Sequence, residues 1–398
     1  VNRTVGEVFM AFARLGVSSF GGPIAHLGYF RAEFVGRRGW LDDERFSSLV
    51  ALANTLPGPS SSQVGLLIGY YRAGVLGAAA AWLAFTLPSA ILMTAFALGF
   101  ATTEIVNSAW VHGLLLASAA VIATAILDMI KTLAPDGRRL AFALACAAAL
   151  IIVPVSALAQ VAVIAAGAIA GQWLAPRETQ TLETGPQGSA QGGGAAAPHR
   201  WWPARVWGFV FLALLALSFV PPLQSALGEA GRFYQAGALV FGGGHVVLPL
   251  LQTRFVTPGI VPNDVFLSGY AAAQAMPGPL FSFASYLGAV AKPVGGIAGA
   301  ALGLLSIYLP TFILLAAIVP VWDWLRGMAP VRRALAGVNA AVIGLLIAAL
   351  YRPIIVTTMH SERDVAIALL AFAALYALRW QPIFVVAGCA IAAALLAR

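Results

Sequence analysis

The sequence predicts an all-α polytopic membrane protein with two repeats of inverted topology. Three observations lead there. First, the 398 residues are 60% apolar and only 10% charged, with a mean hydropathy of +0.88. A soluble domain carries about 25% charged residues, and no soluble core could hide so much apolar surface. Second, short sequences recur in order at near-constant spacing. "FGGPIAHLGYFRAEFV" at 20–35 lies over "FGGGHVVLPLLQTRFV" at 241–256, an offset of 221. "LPGP" at 56–59 lies over "MPGP" at 276–279, offset 220, and "LPSAIL" at 87–92 over "LPTFIL" at 309–314, offset 222. "AAVI" at 119–122 returns at 340–343, again offset 221. Ordered recurrence of this kind marks an internal duplication, a plan common to secondary transporters. Third, basic residues are distributed unevenly between the two sides that the apolar runs define.

The apolar runs of the first half cover about 4–19, 22–36, 46–56, 60–71, 75–101, 106–134, 138–156 and 158–174. A full crossing needs about 20 residues. The first four runs are shorter and meet at breaks, Phe-Gly-Gly at 20–22 and Pro-Gly-Pro at 57–59. They read as two broken or re-entrant helix pairs, followed by about four full spans. Irregular backbone at membrane depth must face protein or a wet cavity. The domains follow: a first repeat at 1–175, a flexible glycine-rich cytoplasmic linker at 176–204, an extra, topology-inverting span at 205–221, and a second repeat at 222–398.

With both broken pairs returning to their starting side, Arg31, Arg37, Arg38, Arg45, Arg72, Lys131, Arg138 and Arg139 share one face, while 101–106 holds no Lys or Arg. The positive-inside rule places that face in the cytoplasm. The extra span then inverts the second half, bringing Arg326, Arg332 and Arg333 inside. Arg352 and Arg363 run against this assignment.

Several classes are set aside. The net charge of +8 is scattered over loops rather than gathered into a nucleic-acid-binding patch. No Walker A, CxxC, HExxH or GxSxG sequence is present, so no ATPase, metal or nucleophile motif is evident, and neither cofactor nor metal is expected. Cys146 and Cys389 lie in apolar helices and read as small hydrophobes. The stretch "VNRTVGEVFMAFARLG" lacks a long apolar region and a small-residue cleavage site, so a removable signal peptide is not expected there.

The chemistry-bearing pattern is the duplicated break. After Pro57, Gly58 and Pro59 come Ser60, Ser61, Ser62 and Gln63; after Pro277, Gly278 and Pro279 comes Ser282. A helix start presents unpaired N–H groups and about half a positive charge. Two starts facing one another make a site for an anion, with the serine hydroxyls as caps or ligands. Gly21 and Gly22, and Gly242, Gly243 and Gly244, permit close backbone approach before a second pair of helix starts. Arg14, one turn before the first break, is a candidate substrate-attracting cation or a partner for Glu7. His26, Glu33, Asp43 and His245 are candidates for carrying coupling protons; ordinary ion pairs to Arg37, Arg38 or Arg45 are the alternative for the two acids. Asp128 and Lys131 are expected to pair locally, and His112 and His360 to be solvated. The run Gly295, Gly299, Gly303 reads as a helix-packing stripe.

"FGGPIAHLGYFRAEFVGRRGW", "LPGPSSSQVGLLIGYYRAGVLG", "FGGGHVVLPLLQ" and "QAMPGPLFSFASYLG" resemble the signature motifs of the chromate ion transporter (CHR) family, in its long two-domain form. The matching residues include Phe20, Pro23, His26, Glu33, Arg37, Arg38, Trp40, Gln63, Gly65 and Arg72, with the glycines and prolines of all four breaks. Asn54, Ser60, His245 and Arg254 depart from the common pattern. The resemblance implies export of chromate across the bacterial inner membrane, driven by the proton motive force. Its partners would be a chromate- or sulfate-like oxyanion, protons and the bilayer; a homo-oligomer is compatible. The alternatives are a sulfate or other small-anion transporter, a channel, and a membrane-embedded enzyme.

Overall fold

The computed structural model describes residues 2–20, 22–100, 109–153, 157–174, 201–241, 246–322 and 328–396. The described chain is helical throughout. Repeat one contains α1 (Asn2–Ser18), α2 (Gly22–Phe30, running into a π-helical turn Arg31–Arg37), α3 (Asp43–Thr55), α4 (Ser60–Phe100), α5 (Ala109–Leu133), α6 (Gly137–Ile152) and α7 (Ala157–Leu174). Then comes α8 (Trp201–Leu217). Repeat two contains α9 (Pro221–Ala238), α10 (Val247–Phe255), α11 (Asn263–Ala275), a 3-10 turn Leu280–Ser282 leading into α12 (Phe283–Val290), α13 (Gly296–Ile318), α14 (Ala329–Ala349), α15 (Glu362–Tyr376) and α16 (Pro382–Leu396).

Local chemistry explains the boundaries. Asp42 caps α3 by accepting from the Arg45 N–H at 2.7 Å, and Asp136 caps α6 from the Arg139 N–H at 2.9 Å. Ser361 and Asp364 form a capping box at α15. The expected division near 71–75 appears inside α4 as a kink at Ala73 and Gly74, the latter at φ +64°. Gly74 therefore divides Ser60–Phe100 into two helical pieces.

Two expectations about length are corrected. Among the described residues, the helices of each repeat long and apolar enough to cross a membrane are two rather than four: the segments Ser60–Gly99 and Ala109–Leu133, then Gly296–Val321 and Ala329–Ala349. The remaining helices of the two C-terminal pairs, α6, α7, α15 and α16, run 15 to 18 residues. At 1.5 Å per residue they span about 22–27 Å, short of a hydrocarbon core of about 30 Å. The interrepeat helix begins at Trp201, so the last four residues assigned to the linker are helical; residues 176–200 lie outside the described residues.

The duplication is visible as repeated packing. Val8, Ala11, Phe12 and Leu15 form the buried stripe of α1, the i, i+3, i+4, i+7 spacing of one helix face. Phe12 stacks on Phe34 at 4.7 Å between ring centroids; Phe233 and Phe255, 221 residues further on, lie at 4.6 Å. Such pairs add about 0.5–1.5 kcal/mol beyond burial. Gly16 packs against the Ala84 and Phe85 carbonyls as Gly237 does against that of Ile307. The packing stripe is also found: Gly299 meets the Gly288 backbone, and Gly303 meets the Ala284 carbonyl and the Phe233 ring.

The repeats then exchange elements. Helix α5 of repeat one packs on α15 and α16 of repeat two, while α14 of repeat two packs on α6 and α7 of repeat one. At one of these junctions His112 meets Asp364 at 2.8 Å, with the His360 N–H also on Asp364 at 3.0 Å; His112 is paired rather than solvated, because α15 brings an acid to it. Lys131 likewise crosses to the Tyr376 hydroxyl at 2.6 Å instead of pairing with Asp128.

Candidate functional site

Each Pro-Gly-Pro break of one repeat is tied to the Phe-Gly-Gly break of the other. The Gly58 N–H donates to the Val240 carbonyl at 2.6 Å, and the Gly278 N–H donates to the Ser19 carbonyl at 2.9 Å. Ser19 and Val240 are equivalent residues, each two before the glycines. Both central glycines have positive φ, +126° at Gly58 and +95° at Gly278, where only glycine sits without strain. Space requires glycine too. A Cβ on Gly58 would collide with the Gln63 amide and lie 2.7 Å from Thr311 Oγ1; one on Gly278 would lie 2.8 Å from Ser89 Oγ. Ser89 and Thr311 follow the Leu-Pro of the two long helices, so this contact is also exchanged between repeats. The two Pro-Gly-Pro breaks are thus each joined to the opposite repeat, at Ser19 and at Val240.

Around that crossing the side chains are buried, polar and uncharged. Ser60, Ser61 and Ser62 are almost fully buried, as are Gln63 and Ser282. Gln63 Nε2 closes the first break onto the Pro57 carbonyl at 2.7 Å, and the Gln63 N–H bonds to the Pro59 carbonyl at 2.9 Å. Ser61 Oγ lies 3.3 Å from His26 Nδ1, and Ser62 Oγ lies 3.1 Å from the Tyr308 hydroxyl. Tyr308 is flanked by Trp82, Phe281 and Phe312, which hold its ring. The second half-helix starts differently: Leu280–Ser282 is a 3-10 turn before α12.

Among the described residues, Ser19 Oγ, Gln63 Oε1, Ser285 Oγ and Thr311 Oγ1 are buried without a hydrogen-bond partner. Buried unsatisfied polar atoms cost about 1–3 kcal/mol each, so they suit a region that a polar guest or water enters. Hydroxyls donate as readily as they accept, which suits an oxyanion without trapping it in an ion pair.

A groove of about 410 Å³ opens beside this region, between α2 and α3, lined by Leu27, Gly28, Arg31, Phe46, Ser47, Val50, Ala51 and Asn54. It runs from Arg31, on the basic face, to Asn54, three residues before Pro57.

The remaining candidates stand elsewhere. Arg14 is exposed, and Glu7 pairs with Arg72 at 3.3 Å rather than with Arg14. Glu33 is clasped by Arg37 and by Arg38, the latter at 2.6 Å. Burial opposes its ionisation, yet these hydrogen bonds and charges hold the carboxyl below its ordinary value. Asp43 pairs with Arg31 at 2.7 Å, in full solvent, rather than with Arg37, Arg38 or Arg45. Of the proton candidates, His26 is brought to the serines. Gly22, at φ +76°, opens α2. Gly21, Gly242, Gly243, Gly244 and His245 lie outside the described residues.

Tyr308, Ser89, Thr311 and Ser19 were not anticipated. The duplicated hydroxyl after Leu-Pro, Ser89 and Thr311, was a legible signal for two of them. Tyr308 had none, because its equivalent in repeat one is Thr86.

Comparison with known proteins identifies the family. A family model described as "Chromate transporter" matches residues 6–172 and again 230–394. The chain is 28% identical over 373 residues to a chromate transport protein of Cupriavidus metallidurans, covering 92% of this chain and 86% of that one. It is 29% identical over 353 residues to a chromate transport protein of Pseudomonas aeruginosa, covering 85% and 79%. It is 26% identical over 363 residues to an uncharacterized transporter of Methanocaldococcus jannaschii, covering 88% and 85%. No solved structure matches the chain.

Proposed function

The chain belongs to the chromate transporter family, a multi-pass membrane transporter and not an enzyme, and from that premise we propose that it exports chromate, or a related tetrahedral oxyanion, from the bacterial cytoplasm across the inner membrane. The observation that carries the proposal is the crossed pair of hydrogen bonds, Gly58 to Val240 and Gly278 to Ser19. These bonds tie each Pro-Gly-Pro turn to the opposite repeat, and the buried hydroxyls beside them support the reading of a shared anion site. A dianion there exchanges water for backbone and hydroxyl dipoles, which lowers a desolvation cost of many kcal/mol.

The inverted-repeat reading gives the direction. The α2–α3 groove opens on the basic face, the side that the positive-inside rule assigns to the cytoplasm. Expelling a dianion from a cell negative inside is downhill by about 4.6 kcal/mol per 100 mV. Rocking of one repeat against the other would close the groove and open its counterpart, giving alternating access. His26, against Ser61, is the proton-coupling candidate nearest the anion.

Sulfate is the second cargo to weigh, since it shares chromate's charge and shape. Everted membrane vesicles separate these readings. Radiolabelled chromate should accumulate on imposing a proton gradient, and an uncoupler should abolish the accumulation. Accumulation indifferent to the uncoupler removes proton coupling; preference for sulfate over chromate reassigns the cargo.

A further inference from the structure

We propose that repeat two carries a second oxyanion station, formed by Arg232 and Arg254 between α9 and α10 and separate from the crossing of the breaks. The proposal rests on the anion-transport reading for the class of ligand. Its residues, however, are independent of the Pro-Gly-Pro site.

Arg254, on the last turn of α10, is 8% exposed. Its Nη2 is buried and has no hydrogen-bond partner among the described residues. Its guanidinium lies over the Phe219 ring, 5.2 Å from the centroid. Arg232 opens on the same crevice with Ser218, Gly228, Gly231 and Gln235, and donates from Nη1 to the Arg254 carbonyl at 3.0 Å. The ion pairs found among the described residues include neither arginine. Glu229, the acid nearest in sequence, instead accepts from the Val294 N–H at 3.3 Å.

Two guanidiniums sharing a largely dry crevice repel one another, and a ring face with one carbonyl compensates them poorly. An anion removes that cost. The planar fork of arginine donates to two oxygens of a tetrahedral oxyanion at once. Gly228, at φ +52°, breaks α9 at the crevice wall, and Gly231 adds no side chain there.

Repeat one shows that this charge is not a by-product of the duplication. At the offset of 221, Arg254 corresponds to Glu33 and Gln235 to Arg14. Glu33 is neutralised by two arginines, whereas Arg254 has no counter-charge within ion-pair distance among the described residues. The crevice holds about 30 Å³, room for roughly one water. The anion therefore enters when α10 parts from α9, after leaving the crossing. On the proposed topology that end of α10 faces outward, the side of release.

Equilibrium binding of radiolabelled sulfate to the purified full chain in nanodiscs tests the station. The wild type should bind two anions, and Arg254→Gln should bind one. Arg232→Gln, at a partly buried residue, should weaken that site about tenfold or more with unchanged elution as a folded particle, which covers the case in which Arg254→Gln fails to fold. Two anions bound by Arg254→Gln, or full affinity in Arg232→Gln, overturns the station. If Gly278→Leu leaves a single anion that Arg254→Gln removes, the station stands and the crossing is retained as well. If the wild type binds one anion, lost in Arg254→Gln and indifferent to Gly278→Leu, the station stands and the crossing fails as the transport site.

Discussion

Repeat one and repeat two share a packing plan but not an opening. Between α2 and α3 lies a groove of about 410 Å³ with Ser47, Ala51 and Asn54 exposed along one helix face. The corresponding surfaces of α10 and α11 are filled: Leu248, Phe266, Leu267 and Tyr270 are all fully buried. Helices α7 and α14 cover α10, and Gln160 of α7 bonds to the Pro249 carbonyl at 3.0 Å and to Thr253 at 2.8 Å. Gln252 and Asn263 close the mouth at 3.0 Å. Equivalent sequences thus support two different local states in one molecule. The difference teaches that the duplicated scaffold repeats its internal packing, while what covers each hairpin differs between the repeats.

The comparison breaks most sharply at the breaks themselves, where the repeats should behave alike. Gly58→Leu and Gly278→Leu each put a side chain at a positive φ, at a cost of about 1–3 kcal/mol, and into a polar neighbour. Both should abolish chromate export while the protein still reaches the membrane, measured by vesicle transport against immunoblot. A variant with normal export would remove its break from the site.

The next effect should separate the repeats. Ala51→Trp fills the repeat-one groove and should cut export at least about tenfold without lowering thermal stability, because Ala51 is exposed. Ala271→Trp, at a fully buried residue of repeat two, should instead destabilise by about 1–3 kcal/mol through overpacking. Equal losses of stability in the two variants would contradict the open-and-sealed contrast.

Much of this architecture was legible. The offset near 221 aligned the breaks of the two halves, but gave no sign that Phe12 packs on Phe34 and Phe233 on Phe255. Glycine and proline announce backbone conformation locally, so Gly58, Gly278 and the Gly74 kink could be read without a structure. What escaped was relational. That Gly58 bonds to Val240 rather than to Ser19 depends on how the repeats interlock, which periodicity within one half cannot show. The same holds for Lys131 with Tyr376 and His112 with Asp364, partners about 250 residues apart. Arg14 stands off the buried stripe of Val8, Ala11, Phe12 and Leu15, so the packing of α1 turns it outward.

Smaller effects sharpen the contrast within the polar cluster. Tyr308→Phe removes the hydroxyl that meets Ser62 and keeps the ring packing. It should cost about 1 kcal/mol, read as a loss of several-fold in transport rate with little change in melting temperature. Unchanged transport would assign Tyr308 to packing alone.

The smallest expected effect concerns the basic loop that repeat two lacks. The Glu33 carboxyl is held below its ordinary value near 4.5 in the fold. A depressed folded value stabilises above the unfolded one, and that contribution is lost as pH falls through the folded value. Arg38→Gln should therefore raise the pH at which acid loosens this loop, monitored as an acid transition in tryptophan fluorescence whose neutral-pH level also shifts, since the Arg38 guanidinium lies 5.1 Å from the Trp40 ring centroid. An acid transition that does not move would deny Arg38 its part in holding Glu33.

The most direct measurement uses cysteines at equivalent places in the two breaks. Ser62→Cys and Ser282→Cys, each in a chain carrying Cys146→Ser and Cys389→Ser, are reacted with a water-soluble thiol reagent with and without sulfate. A shared anion site predicts that both thiols react and that sulfate slows both. Reaction at one break only, or rates indifferent to the anion, would show that the crossing is a packed joint and not the place where the anion is held.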